Sequence, residues 1–256
     1  MRATTTGLRA FGALCALLLA TAACTSHDGS ASAPGSGART GTGPAPGTDA
    51  AKGGDGTGGD ASVPLTAPQL ERAALATGDL PGYQVLAGKS ALAPTGQPVA
   101  DKAACRPLAD AMGAEPDARA THTVSRGLGS LDDLGLAVSV SLSSYSVDDA
   151  EELIGGLEAA VAACGAGFRA TLDGRSTTYR DVKAVPFAAR GGDRTVSWTA
   201  VAADEGAVSP VHLVVVGRGA TVARFTAFDL AGGKPPRVPG AVVVRQLAKI
   251  ARQVAG

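Results

Sequence analysis

Residues 136–165 read LAVSVSLSSYSVDDAEELIGGLEAAVAACG, and this stretch decides the fold. In its first half Leu136, Val138, Val140 and Leu142 alternate with Ala137, Ser139, Ser141 and Ser143. A period of two marks a strand with one face buried and the other wet or lightly packed, and the serine-lined face suits polar contacts. In the second half the period changes to that of a helix. Ser146 caps it, and Asp148, Asp149, Glu151 and Glu152 fall in its first turns, where the helix dipole favours acids without any ligand. Leu153, Ile154, Leu157, Val161 and Cys164 share one stripe, and Gly165 takes the position after the last turn.

Working toward the C-terminus, strands are predicted near residues 168–172, 178–185, 195–202, 211–216 and 221–228. The turn Gly217-Arg218-Gly219 joins the last two as a hairpin. A closing helix over residues 242–254 buries Val243, Leu247, Ile250 and Val254 and leaves Arg245, Lys249 and Arg252 outside. That basic face could touch anionic head groups, although a charged face is ordinarily only solvated. Toward the N-terminus, Leu65-Thr66-Ala67-Pro68-Gln69 holds a capping box with proline in the first turn, and the helix it opens is expected to stop at Gly78. A strand over 83–86, a Pro- and Gly-rich loop and a short helix over 106–112, beside Cys105, complete the series. Strand runs flanked by helices give an α+β fold: one twisted, mostly antiparallel sheet with helices packed on one face. The alternating order of a Rossmann sheet is absent.

Before Val63 the composition is of another kind. From Thr25 to Ser62 no aliphatic residue larger than alanine occurs, so the segment cannot bury a core and is expected to be a solvated tether. At this length a flexible coil spans roughly 35 Å, enough to lift a domain clear of a surface. Residues 1–23 carry Arg2 and Arg9, an apolar run through Leu14, Leu17, Leu18 and Leu19, and small residues before Cys24. That is the layout of a signal peptide, too short to span roughly 30 Å of hydrocarbon. Leu19-Ala20-Thr21-Ala22-Ala23-Cys24 resembles the bacterial lipobox, which implies cleavage before Cys24 and a diacylglyceryl group on its thiol. An ordinary secretory peptide ending by chance at a cysteine is the alternative.

This organisation divides the chain into residues 1–23, a lipidated cysteine and tether over 24–62, and a domain over 63–256. It also sorts the 4 cysteines. Cys15 leaves with the signal and Cys24 carries lipid, so Cys105 and Cys164 remain, and outside the cytoplasm such a pair oxidises. A bridge closing that loop is worth roughly 4 kcal/mol in the chain-entropy model. A catalytic or metal-binding thiol pair lacks both CxxC spacing and a neighbouring histidine.

Charge and aromatic content exclude further classes. Without the signal the chain holds 21 basic and 23 acidic residues, and aromatics make up 4%, so nucleic acid is not an expected partner. Of 3 histidines, His27 lies in the tether, while His122 and His212 fall on separate strands, so no set of converging metal ligands is expected. No serine sits in a G-x-S-x-G elbow or an S-x-x-K motif, and no catalytic constellation is predicted. Gly217-Arg218-Gly219 lacks the third glycine of a phosphate loop, because position 222 is valine, and Arg190-Gly191-Gly192-Asp193 reads as a tight turn. Asp132-Asp133 reads as loop. Trp198 and Tyr179 could line an apolar pocket, against the simpler expectation that an indole is core.

Tyr145-Ser146 leading into Asp148-Asp149-Ala150-Glu151, then Ala163-Cys164, then Gly219-Ala220-Thr221-Val222-Ala223, make this chain resemble the PknH-like extracellular sensor domain over most of residues 63–256. The resemblance implies an α+β domain outside the membrane, either fused to a receptor serine/threonine kinase or alone on a lipid anchor. The family pattern has two disulfides where one pair is available here. The expected role is a non-catalytic lipoprotein on the outer face of the membrane, binding a small molecule, glycan or envelope protein without a cofactor. A hydrolase or transferase with an unrecognised site, and a structural accessory protein, are the alternatives.

Overall fold

A computed structural model describes residues 60–88, 96–204, 206–232 and 234–255. Cys24, His27, the signal segment and nearly all of the tether lie outside the described residues. The elements run α1 (Ala67–Ala73), β1 (Tyr83–Ala87), β2 (Val99–Ala100), α2 (Arg106–Met112), β3 (His122–Ser130), β4 (Leu136–Ser144) and α3 (Val147–Ala163). They continue through β5 (Phe168–Leu172), β6 (Arg175–Ala184), β7 (Arg194–Asp204), β8 (Ala207–Arg218), β9 (Thr221–Asp229) and α4 (Gly240–Val254). Among the described residues nine strands form a single sheet in the order β1-β3-β4-β9-β8-β7-β6-β5-β2, and every pairing is antiparallel. The class and the antiparallel sheet are those expected from the sequence.

The helices, however, are divided between the two faces of the sheet rather than gathered on one. Val138, Val140 and Leu142 of β4 join Val214, Val216, Ala223 and Phe225 beneath Leu70 of α1 and Val243, Leu247 and Ile250 of α4. Leu213, Val215, Val222 and Trp198 point the other way, against Leu108 of α2 and Ile154 and Leu157 of α3. The cause is visible in β8, where Val211–Val216 is buried at every position, so that neither side of the central strand can face water.

Two helix ends differ from expectation. The first helix stops at Ala73, well short of Gly78, because the fully buried Gln246 of α4 takes over its end. Its amide donates to the Ala73 carbonyl at 2.7 Å and its carbonyl accepts from the Leu75 N–H at 3.2 Å, which turns the chain away from the helix. After α3, the residue in the left-handed region is Gly167 (φ +89°), not Gly165. A Cβ there would lie 2.4 Å from the Tyr179 carbonyl oxygen, so glycine is required. Ser146 caps α3 as predicted, its hydroxyl accepting from the Asp149 N–H at 3.1 Å.

Cys105 and Cys164 form a disulfide with a Cα–Cα distance of 5.9 Å. It ties the entry of α2 to the end of α3. At the other end of the described chain, the Ala220 N–H donates to the Ala61 carbonyl at 2.8 Å, so the last residues assigned to the tether already rest on the β8–β9 turn. No helix among the described residues is long and apolar enough to cross a membrane.

Candidate functional site

The alternation along β4 has a direct consequence. Its valines and Leu142 face α1 and α4, so its serines face α2 and α3, where the helical layer leaves part of the sheet uncovered. A cleft of about 700 Å³ opens there. Its floor is Ser141, Ser143, Val215, Val222 and Arg224, and its walls are Pro107 and Asp110 of α2 and Leu153, Gly156 and Leu157 of α3. The loop after α2 closes one side with Pro116, Asp117 and Arg119, and Tyr145 closes the other. Its volume falls within the usual range for small-molecule sites, and it mixes apolar walls with a few converging polar groups.

Arg224 is the cation at the floor. It stands opposite Ser141 in the β4–β9 register, and its Nε donates to the Ser141 hydroxyl at 3.2 Å. Its Nη1 donates to the Asp110 and Ala111 carbonyls, at 3.3 and 3.0 Å, at the negative end of the α2 dipole. No carboxylate among the described residues pairs with it. Burial pulls its pKa down, opposed by the nearby Tyr145 oxygen. Burial likewise pushes the Tyr145 phenol up to about 12, so it stays neutral across the physiological range.

The other charges of the cleft are already matched. Arg119 Nε and Nη2 donate to the two carboxylate oxygens of Asp117 at 3.0 and 3.1 Å, and Arg119 Nη1 lies 3.3 Å from Glu152. The hydrogen bond from Arg119 is the main reason the Asp117 carboxyl titrates below its ordinary range. Arg106 pairs with Asp110 Oδ2 at 3.6 Å, while Asp110 Oδ1 is buried without a donor.

Gly156 adds an observation of another kind. A glycine in a helix interior costs roughly 1 kcal/mol against alanine, and nothing packs close enough here to require it. A Cβ would meet only Pro107 Cγ, at 3.9 Å, and a larger side chain would project into the cleft. What the missing side chain preserves is open space.

The residues singled out from the sequence fall in several places. Ser141 and Ser143, on the serine face, and Glu152, of the acidic helix start, reach the cleft; Asp149 stays at the cap and lies 3.9 Å from Arg119. Trp198, fully buried, and Tyr179 are core and do not line it. Arg245 and Lys249 are not a free basic face, because the turn after α1 brings Asp79 to 2.7 and 2.5 Å from them. Burial raises the Asp79 carboxyl, but hydrogen bonds from Lys249, the Ala76 amide and Arg245 outweigh it and hold the pKa at about 2. Arg224, Arg119, Asp110 and Asp117 were not anticipated. The signal for Arg224 was present: in Val222-Ala223-Arg224-Phe225-Thr226 it is a charge embedded in an otherwise buried strand.

A serine–histidine pair also went unforeseen. Ser197 Oγ lies 2.9 Å from His212 Nε2, both buried on the sheet face away from the cleft. The Val238 N–H donates to His212 Nδ1 at 2.9 Å, so the ring hydrogen must sit on Nε2 and point at the serine. A nucleophilic pair needs the reverse, an unprotonated Nε2 that takes the serine proton. Burial, helped by Arg237, lowers the His212 pKa to about 4 and keeps the ring neutral in this structural role. Among the described residues no three His, Cys, Asp or Glu side chains come together as a metal would need.

No family model matches the chain, and no curated protein matches it. Among solved structures, the extracellular domain of PknH from Mycobacterium tuberculosis is similar at 12% identity, the match covering 75% of this chain and 98% of that one with a TM-score of 0.48. An uncharacterised protein of Mycobacterium smegmatis is similar at 14% identity, covering 77% of this chain and 98% of that one with a TM-score of 0.39.

Proposed function

We propose that this chain is an extracytoplasmic lipoprotein, acylated on Cys24, whose domain binds a ligand without catalysis in the cleft between α2 and α3. The observation that carries the binding reading is the cleft itself: a half-buried arginine with no carboxylate partner among the described residues, two serines and a neutral tyrosine around open space that Gly156 leaves unfilled. The lipobox-like Leu19–Cys24 segment, the core-less composition of residues 25–62 and the Cys105–Cys164 bridge, which suits an oxidising compartment, support the location. The partner is a small molecule, a glycan or a group on an envelope protein. A net charge near zero weighs against nucleic acid.

Two experiments test this. Screening envelope metabolites by thermal shift on the full chain should yield compounds that raise the melting temperature through binding to the folded state, and Gly156→Trp should abolish the shift. Robust hydrolytic turnover lost on changing one cleft residue would replace the binding reading with an enzyme. For the anchor, labelled fatty acid should be incorporated in the parent and not in Cys24→Ser; equal labelling, or none in either, contradicts it.

A further inference from the structure

Arg224 has five N–H donors, and three are spent on Ser141 Oγ and the Asp110 and Ala111 carbonyls. The two on Nη2 have no partner among the described residues. Ser141 accepts from Nε, and its own hydroxyl hydrogen has no acceptor among them. These free donors come from cross-strand neighbours on one face of the sheet, and both residues line the cleft. Arg224 is half-buried, and a guanidinium partly withdrawn from water is better held with an anion against its free N–H groups than without one. Of the cleft's three arginines, Arg119 is occupied by Asp117 and Glu152 and Arg106 by Asp110, so Arg224 alone is unmatched.

Resting on the cleft as the binding site, we infer that its ligand is an amphiphile with a single oxyanion head, a carboxylate or a phosphate, seated on Arg224 and Ser141. The body of the ligand lies against Leu153, Leu157, Val215 and Val222. Asp110 Oδ1, buried and without a donor in the same lining, repels a second oxyanion and suits a ligand hydroxyl. A cationic head is rejected, because it would leave Nη2 unpaired and add charge of the same sign at the floor.

The test uses the full chain carrying Cys24→Ser, titrated calorimetrically in detergent-free buffer with octanoate, octyl phosphate, octanol and octyltrimethylammonium below their micelle concentrations. Octanoate or octyl phosphate should bind at least tenfold more tightly than octanol or octyltrimethylammonium, and whichever is tighter identifies the head group. Ser141→Ala should weaken the anion about tenfold, the usual effect of losing a hydrogen bond to a charged group, and leave octanol unchanged. Arg224→Gln should erase the preference for anions while keeping octanol binding. If Arg224→Gln does not fold, Ser141→Ala decides alone. Octanol or octyltrimethylammonium binding as tightly as the anions overturns this inference and leaves the cleft standing as a binding site. Ser141→Ala weakening octanol and octanoate equally overturns it too. Binding of none of the four overturns the inference, while the cleft reading stands or falls on the thermal-shift screen with Gly156→Trp.

Discussion

His212 accepts a backbone N–H on one nitrogen and faces Ser197 with the other, and this fixes how the fold responds to acid. Its pKa is lowered to about 4 in the folded protein from 6.5 when unfolded, so the unfolded chain binds the extra proton between those values. Stability is therefore complete above about pH 6.5 and falls as pH drops toward 4, by up to about 3 kcal/mol. Denaturant unfolding of the parent should show that loss, and His212→Gln, which cannot titrate, should flatten it across this window. Asp79, held at about 2, acts in a lower window: its contribution is present above about pH 4 and is lost as pH falls toward 2. At this scale the sequence was legible where a residue obeys its neighbours' pattern, as the serines of β4 do. Arg224 breaks the pattern of β9, and such a break says that something polar must meet the residue without saying what. Its partners, the α2 carbonyls and Ser141, lie more than 80 positions away in the chain.

Among the elements, α3 is rich in Ala, Glu and Leu but carries two residues of poor helical propensity. Gly155 and Gly156 sit in its middle, and a Cβ at Gly155 would meet only Arg194 Nη2, at 4.0 Å. Gly155→Ala should therefore stabilise the fold by about 0.8 kcal/mol, measured by chemical unfolding, without touching the cleft. Gly167→Ala should do the opposite and cost 2 kcal/mol or more, through both left-handed strain and collision with the Tyr179 carbonyl. The division of helices between the faces was also encoded, though not in residues 136–165. A strand alternating valine and serine, as β4 does, points to one covered face, and that reading led to helices on one side. The unbroken run Leu213–Val216 in β8 carries the other half of the information, since a strand apolar at successive positions is covered twice. The early stop of α1 was not readable at all, because its end is completed by Gln246, some 170 residues later in the chain.

For the whole molecule, the disulfide joins the two helices that wall the cleft, so its loss bears on stability and on the site together. Replacing Cys105 and Cys164 by alanine should cost about 4 kcal/mol in chemical unfolding. The pairing itself was legible by elimination among four cysteines, and its position beside the cleft was not. The central claim, that the open space between α2 and α3 over the serine face of β4 is where a ligand binds, is tested most directly by hydrogen exchange on the full chain with and without octanoate. Protection should rise in α2, the loop through Asp117 and Arg119, α3 and the paired β4 and β9. Protection confined to the exposed Leu131, Leu134 and Leu230, or absent at a concentration that shifts the melting temperature, would contradict it.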